Sequence, residues 1–269
     1  MGIVPIRANT RPSSRHSRSL CTQALRNALI AVALVAPALA LSLPVHAGAA
    51  AKVYLPKVEH RELELEFRGG WQDYNGTNQG DGQQYVFDVG YGVTPRWFTE
   101  LAVFYSRAPG EGGQIEEFKS ENIFLLTEPG KHWLDVGMIV EVVHNRAEGL
   151  NEIEFGPLFQ TQVGREQFNL NFEFARELVD GAKTEVGYAW QWKHRGNPKL
   201  EFGLQGFGDL GPTGTLGQVH ESKLGPALFG SMRLPSGHKI KYDGAVLAGV
   251  TAGAPDTTVR FQLEYELAL

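Results

Sequence analysis

The closing stretch "TTVRFQLEYELAL", residues 257–269, alternates with a period of two: Val259, Phe261, Leu263, Tyr265, Leu267 and Leu269 against Arg260, Gln262, Glu264 and Glu266. An extended chain sends successive side chains to opposite faces, so this segment carries one apolar surface and one ionic surface. Either a protein core buries the apolar surface or lipid covers it.

The beginning of the chain bears on that choice. Arg7, Arg11, Arg15, Arg18 and Arg26 come with no acidic residue before Glu59, and the apolar run "ALIAVALVAPALALSL" (28–43) follows, interrupted by Pro37. With small residues before Gly48, this reads as a secretory signal peptide, residues 1–47, cleaved after Ala47. A retained anchor is the alternative; the short run and its proline weigh against it. Residues 48–60 are then expected to form a short periplasmic segment, and 61–269 the folded body. Cys21 is the only cysteine and lies upstream of the cut. The mature chain therefore has no disulfide, thiol nucleophile or cysteine metal site. Its 20 basic residues face 30 acids once the five leader arginines are gone, which disfavours nucleic acid as a partner.

No second apolar stretch is long enough for a spanning helix, so a membrane form has to be a closed barrel with no open strand edge. Alternation and turn signals mark about twelve strands and almost no helix. They include "ELELEFRGGW" (62–71), "QYVFDVGYGV" (84–93), "WFTELAVFY" (97–105) and "WLDVGMIVEVV" (133–143), each roughly nine to eleven residues long, the length of a tilted bilayer-crossing strand. Every second connection is a tight turn: "TPR", "EPGK", "GRE", "RGNP" and "PSGH". The alternate connections are mostly longer, which is the layout of outer-membrane barrels with short periplasmic turns and both termini in the periplasm. Trp71, Trp97, Trp133, Trp190 and Trp192 lie near strand ends, where an interfacial girdle would use them. The prediction is an all-β, closed antiparallel barrel in the outer membrane of a Gram-negative bacterium. The structural rival is a soluble periplasmic β-sandwich that binds a ligand.

If lipid takes the apolar face, the charges line a lumen: Glu64, Glu66, Arg68, Asp88, Glu100, Glu117, Lys119, Glu121, Asp135, Glu141, Glu154, Lys193, Glu201, Asp209, Lys223, Lys241, Arg260, Glu264 and Glu266. Lys239 and Lys241 are expected opposite Glu264 and Glu266, Lys193 beside Glu201, and Asp209 facing Lys223, since unlike charges stabilise cross-strand pairs. Glu64 and Glu66 should approach Glu264 and Glu266 at the seam. Glu117, Glu121, Glu141, Glu152 and Glu154 should gather toward the outer mouth with Lys119 as the only nearby inward base, either as a cation-attracting feature or as a solvated acidic rim. Twelve strands leave room for a narrow passage or a ligand-sized cavity.

No phosphate loop, dinucleotide fingerprint, zinc helix motif or serine elbow occurs, and no cofactor or metal is expected. In "HES", His220 and Ser222 share a strand face, with Glu201 or Glu264 as candidate third members. The spacing resembles that of outer-membrane lipid A deacylases, but Lys223 stands where asparagine usually follows the serine. A hydrolase needs its base beside the nucleophile and oriented by a third group.

"YGVTPRWFTELAVFY" (91–105) carries a further resemblance. Its strand ending in Tyr-Gly, turn of Val-Thr-Pro-Arg and apolar strand bearing Glu100 resemble the hairpin of an outer-membrane barrel family associated with the meta-pathway of phenol degradation. The resemblance is confined to residues 85–105. It implies passage of small hydrophobic or aromatic solutes, with lipid and the barrel-assembly machinery as partners. Assembled barrels usually end on an aromatic residue, whereas this chain ends on Leu269 with Tyr265 and Phe261 behind it.

Overall fold

The structure is a computed structural model that describes Met1 and residues 48–74, 82–108, 112–146, 149–216 and 220–268. The rest of the expected signal peptide, the tips of several long loops and Leu269 lie outside the described residues.

Twelve strands follow one another: β1 (Glu62–Asp73), β2 (Gly82–Thr94), β3 (Trp97–Arg107), β4 (Gln114–Leu125), β5 (Asp135–Asn145), β6 (Leu150–Val163), β7 (Glu166–Glu177), β8 (Glu185–Asn197), β9 (Leu200–Pro212), β10 (Glu221–Arg233), β11 (Lys239–Gly249) and β12 (Thr257–Ala268). Each pairs antiparallel with its chain neighbour, and β12 closes the ring on β1 in unbroken register from Glu62↔Ala268 to Asp73↔Thr257. A closed ring leaves no unpaired edge, which removes the two-sheet sandwich as the fold.

The alternation places apolar side chains outside. Val259, Phe261 and Leu263 are 40–48 % exposed, whereas Arg260, Glu264 and Glu266 on the same strand are buried. Phe87, Leu101, Val142 and Val246 stand on the same outer surface, and Asp88, Glu141 and Glu154 are fully enclosed within. A fold with a greasy outside and an ionic inside is stable only where hydrocarbon replaces water around it.

One end of the barrel, called here the turn end, has two-residue connections at Pro95–Arg96, Gly164–Arg165 and Pro198–Lys199. The expected "EPGK" turn forms, with the Lys131 amide donating to the Glu128 carbonyl and Gly130 at a φ of 74°, but it lies within a longer β4–β5 connection that runs from 126 to 134. Strand β5 begins only at Asp135 because the Leu126 and Thr127 amides both reach back to the Val136 carbonyl, and Asp135 Oδ1 accepts from the Gly130 amide at 2.8 Å. Trp133, in the same connection just before β5, is 82 % exposed.

Residues 48–60 depart from the expected periplasmic segment. They enter the barrel and run along its inside from the loop end to the turn end, forming a strap. The Ala50 amide donates to Gln84 Oε1 near the loop end of β2, and Lys223 Nζ reaches the Gly48 carbonyl. At the turn end the Arg61 amide donates to the Gly92 carbonyl, and Arg61 takes a positive φ of 65° as the chain reverses into β1. Two glycines make the groove for this path. A Cβ on Gly70 would lie 2.2 Å from the Ala49 carbonyl oxygen, and one on Gly92 would lie 2.0 Å from that of Glu59. Ala50, Val53 and Tyr54 each join a different apolar cluster on the inner wall, around Phe104, Phe229 and Ile139 respectively. The strap therefore has a hydrophobic reason to stay inside.

Candidate functional site: the strapped lumen

The inner wall carries a row of four glutamates, one on each of four neighbouring strands. Glu100 on β3 lies opposite Glu121 on β4, Glu121 opposite Glu141 on β5, and Glu141 opposite Glu154 on β6. All four are at most 2 % exposed. Like charges directly opposite each other repel, and burial removes the water that would screen them. Such a row persists only with counter-groups close by.

The strap supplies two of them. Lys52 Nζ lies 2.9 Å from Glu100 and 3.2 Å from Glu66. The Tyr54 hydroxyl is 2.9 Å from Glu121 Oε2 and 3.1 Å from Glu141 Oε1. On β7, the next strand beyond the row, Asn171 clamps the Tyr54 backbone, accepting from its amide at 2.8 Å and donating to its carbonyl at 3.0 Å. The barrel contributes Lys119, whose Nζ is 2.7 Å from Glu154, and Arg68, which pairs with Glu66 and Asp88 and approaches Glu121 at 3.7 Å. Lys119 is thus joined by Lys52 and Arg68, and the carboxylates form a sealed wall instead of a solvated rim.

The seam charges meet where the sequence places them, whereas Lys193, Glu201, Asp209 and Lys223 find partners other than those expected. Lys241 contacts both Glu264 and Glu266, Lys239 contacts Glu266 at 2.8 Å, and the seam sets Glu64 against Glu266 and Glu66 against Glu264. Glu201 is held by Arg195 at 2.8 Å, and Lys193 sits over the Phe229 ring instead, 4.2 Å from its centroid. Lys223 bonds Glu221 at 3.1 Å within its own strand, because residues two apart share a face, and Asp209 accepts from the Gly211 amide. Arg260 reaches Asp243 and Gln205, and Glu117 is buried beside the row.

From β6 to β9 the wall changes to amides. Gln167 donates to Gln160 and Asn169, Gln191 donates to Asn169, and Gln205 donates to Gln191. This ladder faces a cavity of about 460 Å³ toward the turn end, also lined by Lys193, Phe229, Phe98 and Tyr242. A second cavity of about 40 Å³ lies on the other side of the strap. Lys52 and Tyr54 line both, so the strap is the partition between them.

The alternative hydrolase constellation is not assembled. Ser222 Oγ is hydrogen-bonded to the Tyr188 hydroxyl at 2.6 Å, and the Ser222 amide donates to Thr251 Oγ1. His220 lies outside β10 and is exposed. Glu201 and Glu264 are held by Arg195 and Lys241 near the opposite end of the barrel.

The strap, its Asn171 clamp and Glu173 escaped the sequence reading. The small residues and the Lys-x-Tyr spacing of "GAAAKVYLPKVEH" (48–60) were the available signal, but neither identifies a partner on another strand.

The closed ring, with its apolar outside and ionic inside, defines a twelve-stranded β-barrel of the outer-membrane type. No family model matches the chain, and no curated protein does either. Among solved structures, it is similar to a KdgM porin in complex with disordered oligogalacturonate, with a TM-score of 0.50 and 7 % identity over 77 % of this chain and 99 % of that one. It is likewise similar to the COG4313 outer membrane channel from Pseudomonas putida F1, with a TM-score of 0.50 and 11 % identity over 84 % of this chain and 98 % of that one. At these identities the likeness is one of fold.

Proposed function

We propose that this protein is a non-enzymatic channel of the Gram-negative outer membrane for small solutes, closed in this conformation by residues 48–60. The observation that carries the reading is the partition itself: a 460 Å³ vestibule ends at Lys52 and Tyr54, which are held by side chains on strands from β1 round to β7. Passage requires the strap to shift or to leave.

The solute class rests on the hairpin resemblance and on the vestibule. Phe98, Phe229 and Tyr242 offer ring faces, Lys193 a cation and the amide ladder hydrogen bonds, a combination suited to a small aromatic solute bearing polar groups. Entry of small aromatic acids and neutral phenols into liposomes holding the intact chain, or the chain without residues 48–60, tests this. Faster entry through the shortened chain is expected. Entry no faster than into protein-free liposomes, in both cases, would contradict a channel.

A further inference from the structure

Every basic side chain on the lining of the 460 Å³ vestibule but one is matched with a carboxylate. Lys52 holds Glu66 and Glu100, Lys57 holds Glu59, and Arg195 holds Glu201. Lys239 contacts Glu266, and Lys241 contacts both Glu264 and Glu266. The exception is Lys193, which has no carboxylate within ion-pair distance among the described residues. Asp243 and Glu201, the acids that act on it most strongly, are already engaged by Arg260 and Arg195. Its ammonium lies over the Phe229 ring, 4.2 Å from the centroid. A ring face attracts the charge but leaves the N–H donors of an ammonium without acceptors. Lys193 is half-buried and opens on the vestibule, so the missing acceptor has room to stand there.

We propose that the vestibule selects organic monocarboxylates, with the carboxylate on Lys193 and the apolar body beside Val53, Phe98 and Phe229 of the same lining. The proposal rests on the vestibule being a solute site and adds the solute's charge and the residue that reads it. One unmatched cation calls for one negative charge. A second would face Asp243 and Glu264 across the same cavity, and like charges brought together this way are strongly disfavoured. A neutral molecule of the same shape would leave the ammonium unmet, and a site built around a polar group discriminates sharply against such an analogue.

Calorimetry on the full-length mature chain in micelles at pH 7 tests this with three probes of similar shape: benzoate, neutral benzamide and the dianion phthalate. Benzoate should bind saturably, and the other two should each bind about tenfold more weakly or worse, the loss of one hydrogen bond to a charged group. Lys193→Met keeps the stem without the charge and should weaken benzoate binding by a similar factor, abolishing the preference over benzamide. Lys193→Arg should preserve that preference. Lys131→Met, in the exposed β4–β5 connection, should change nothing, and heat-modifiable gel mobility reports that each variant is folded. If Lys193→Met does not fold, Lys193→Gln takes its place. Equal binding of benzoate and benzamide by the intact chain would overturn the proposal, as would an undiminished preference in the uncharged variant or no saturable benzoate binding at millimolar concentration. The channel reading fails separately: selective benzoate binding without entry into liposomes would remove passage and keep the site, whereas entry with unselective binding would do the reverse.

Discussion

The Lys52 ammonium lies 2.9 Å from the Glu100 carboxylate, across 48 positions of sequence and from the strap to the wall. The same ammonium is 3.2 Å from Glu66, so one side chain offsets two buried acids on β1 and β3. Removing one member of a buried pair leaves a charge without water or partner. Lys52→Ala should therefore destabilise the folded barrel by about 3–5 kcal/mol, read as a lower urea midpoint for loss of the fast-migrating gel form. A wild-type midpoint would show that the pair contributes nothing.

Tyr54→Phe keeps the ring against Ile123, Ile139 and Leu158 but removes the hydroxyl that meets Glu121 and Glu141. The expected loss is about 1.5–3 kcal/mol, the cost of a hydrogen bond to a charged group. Tyr54→Ala adds a cavity and should cost more, by roughly 2 kcal/mol. Equilibrium unfolding of the two variants side by side separates the hydroxyl from the ring.

Gly70 can be tested against Gly82. A methyl at Gly70 meets the Ala49 carbonyl oxygen and the Val259 carbonyl, whereas one at Gly82 would lie 4.0 Å from the Arg107 carbonyl oxygen. Gly70→Ala should push the strap off the wall and expose residues 48–60 to protease. Gly82→Ala should leave the digestion pattern unchanged.

Outward and inward positions respond in opposite senses to charge. Val142→Arg on the lipid face should cost about 2–4 kcal/mol if it lies near the bilayer midplane, measured by refolding into lipid vesicles. Glu141→Gln, one residue away and facing in, relieves repulsion with Glu121 and Glu154 and should cost much less.

The barrel was legible in the sequence because its signal is local. Alternation in "TTVRFQLEYELAL" fixes which face of β12 meets lipid, and the seam pairing of Glu64 and Glu66 with Glu266 and Glu264 follows from antiparallel closure alone. Partner choice inside the lumen is a different matter. Arg68–Glu66 and Lys223–Glu221 form along one strand, and Glu201 selects Arg195 over Lys193, because long side chains reach past the residue opposite. Register also differs from the expected Asp209–Lys223 meeting: Lys223 lies opposite Phe207, and Asp209 lies opposite Glu221. The strap was invisible for a plainer reason. Its contacts to Glu100, Asn171 and Glu121 span 48 to 117 positions, and no periodicity in residues 48–60 encodes them.

Single-channel conductance in a planar bilayer, comparing the intact chain with the Lys52→Ala/Tyr54→Ala double variant, tests the strapped lumen most directly. The intact barrel should conduct weakly, and the double variant should open to a severalfold larger and steadier current. Equal currents from two folded barrels would contradict closure by the strap.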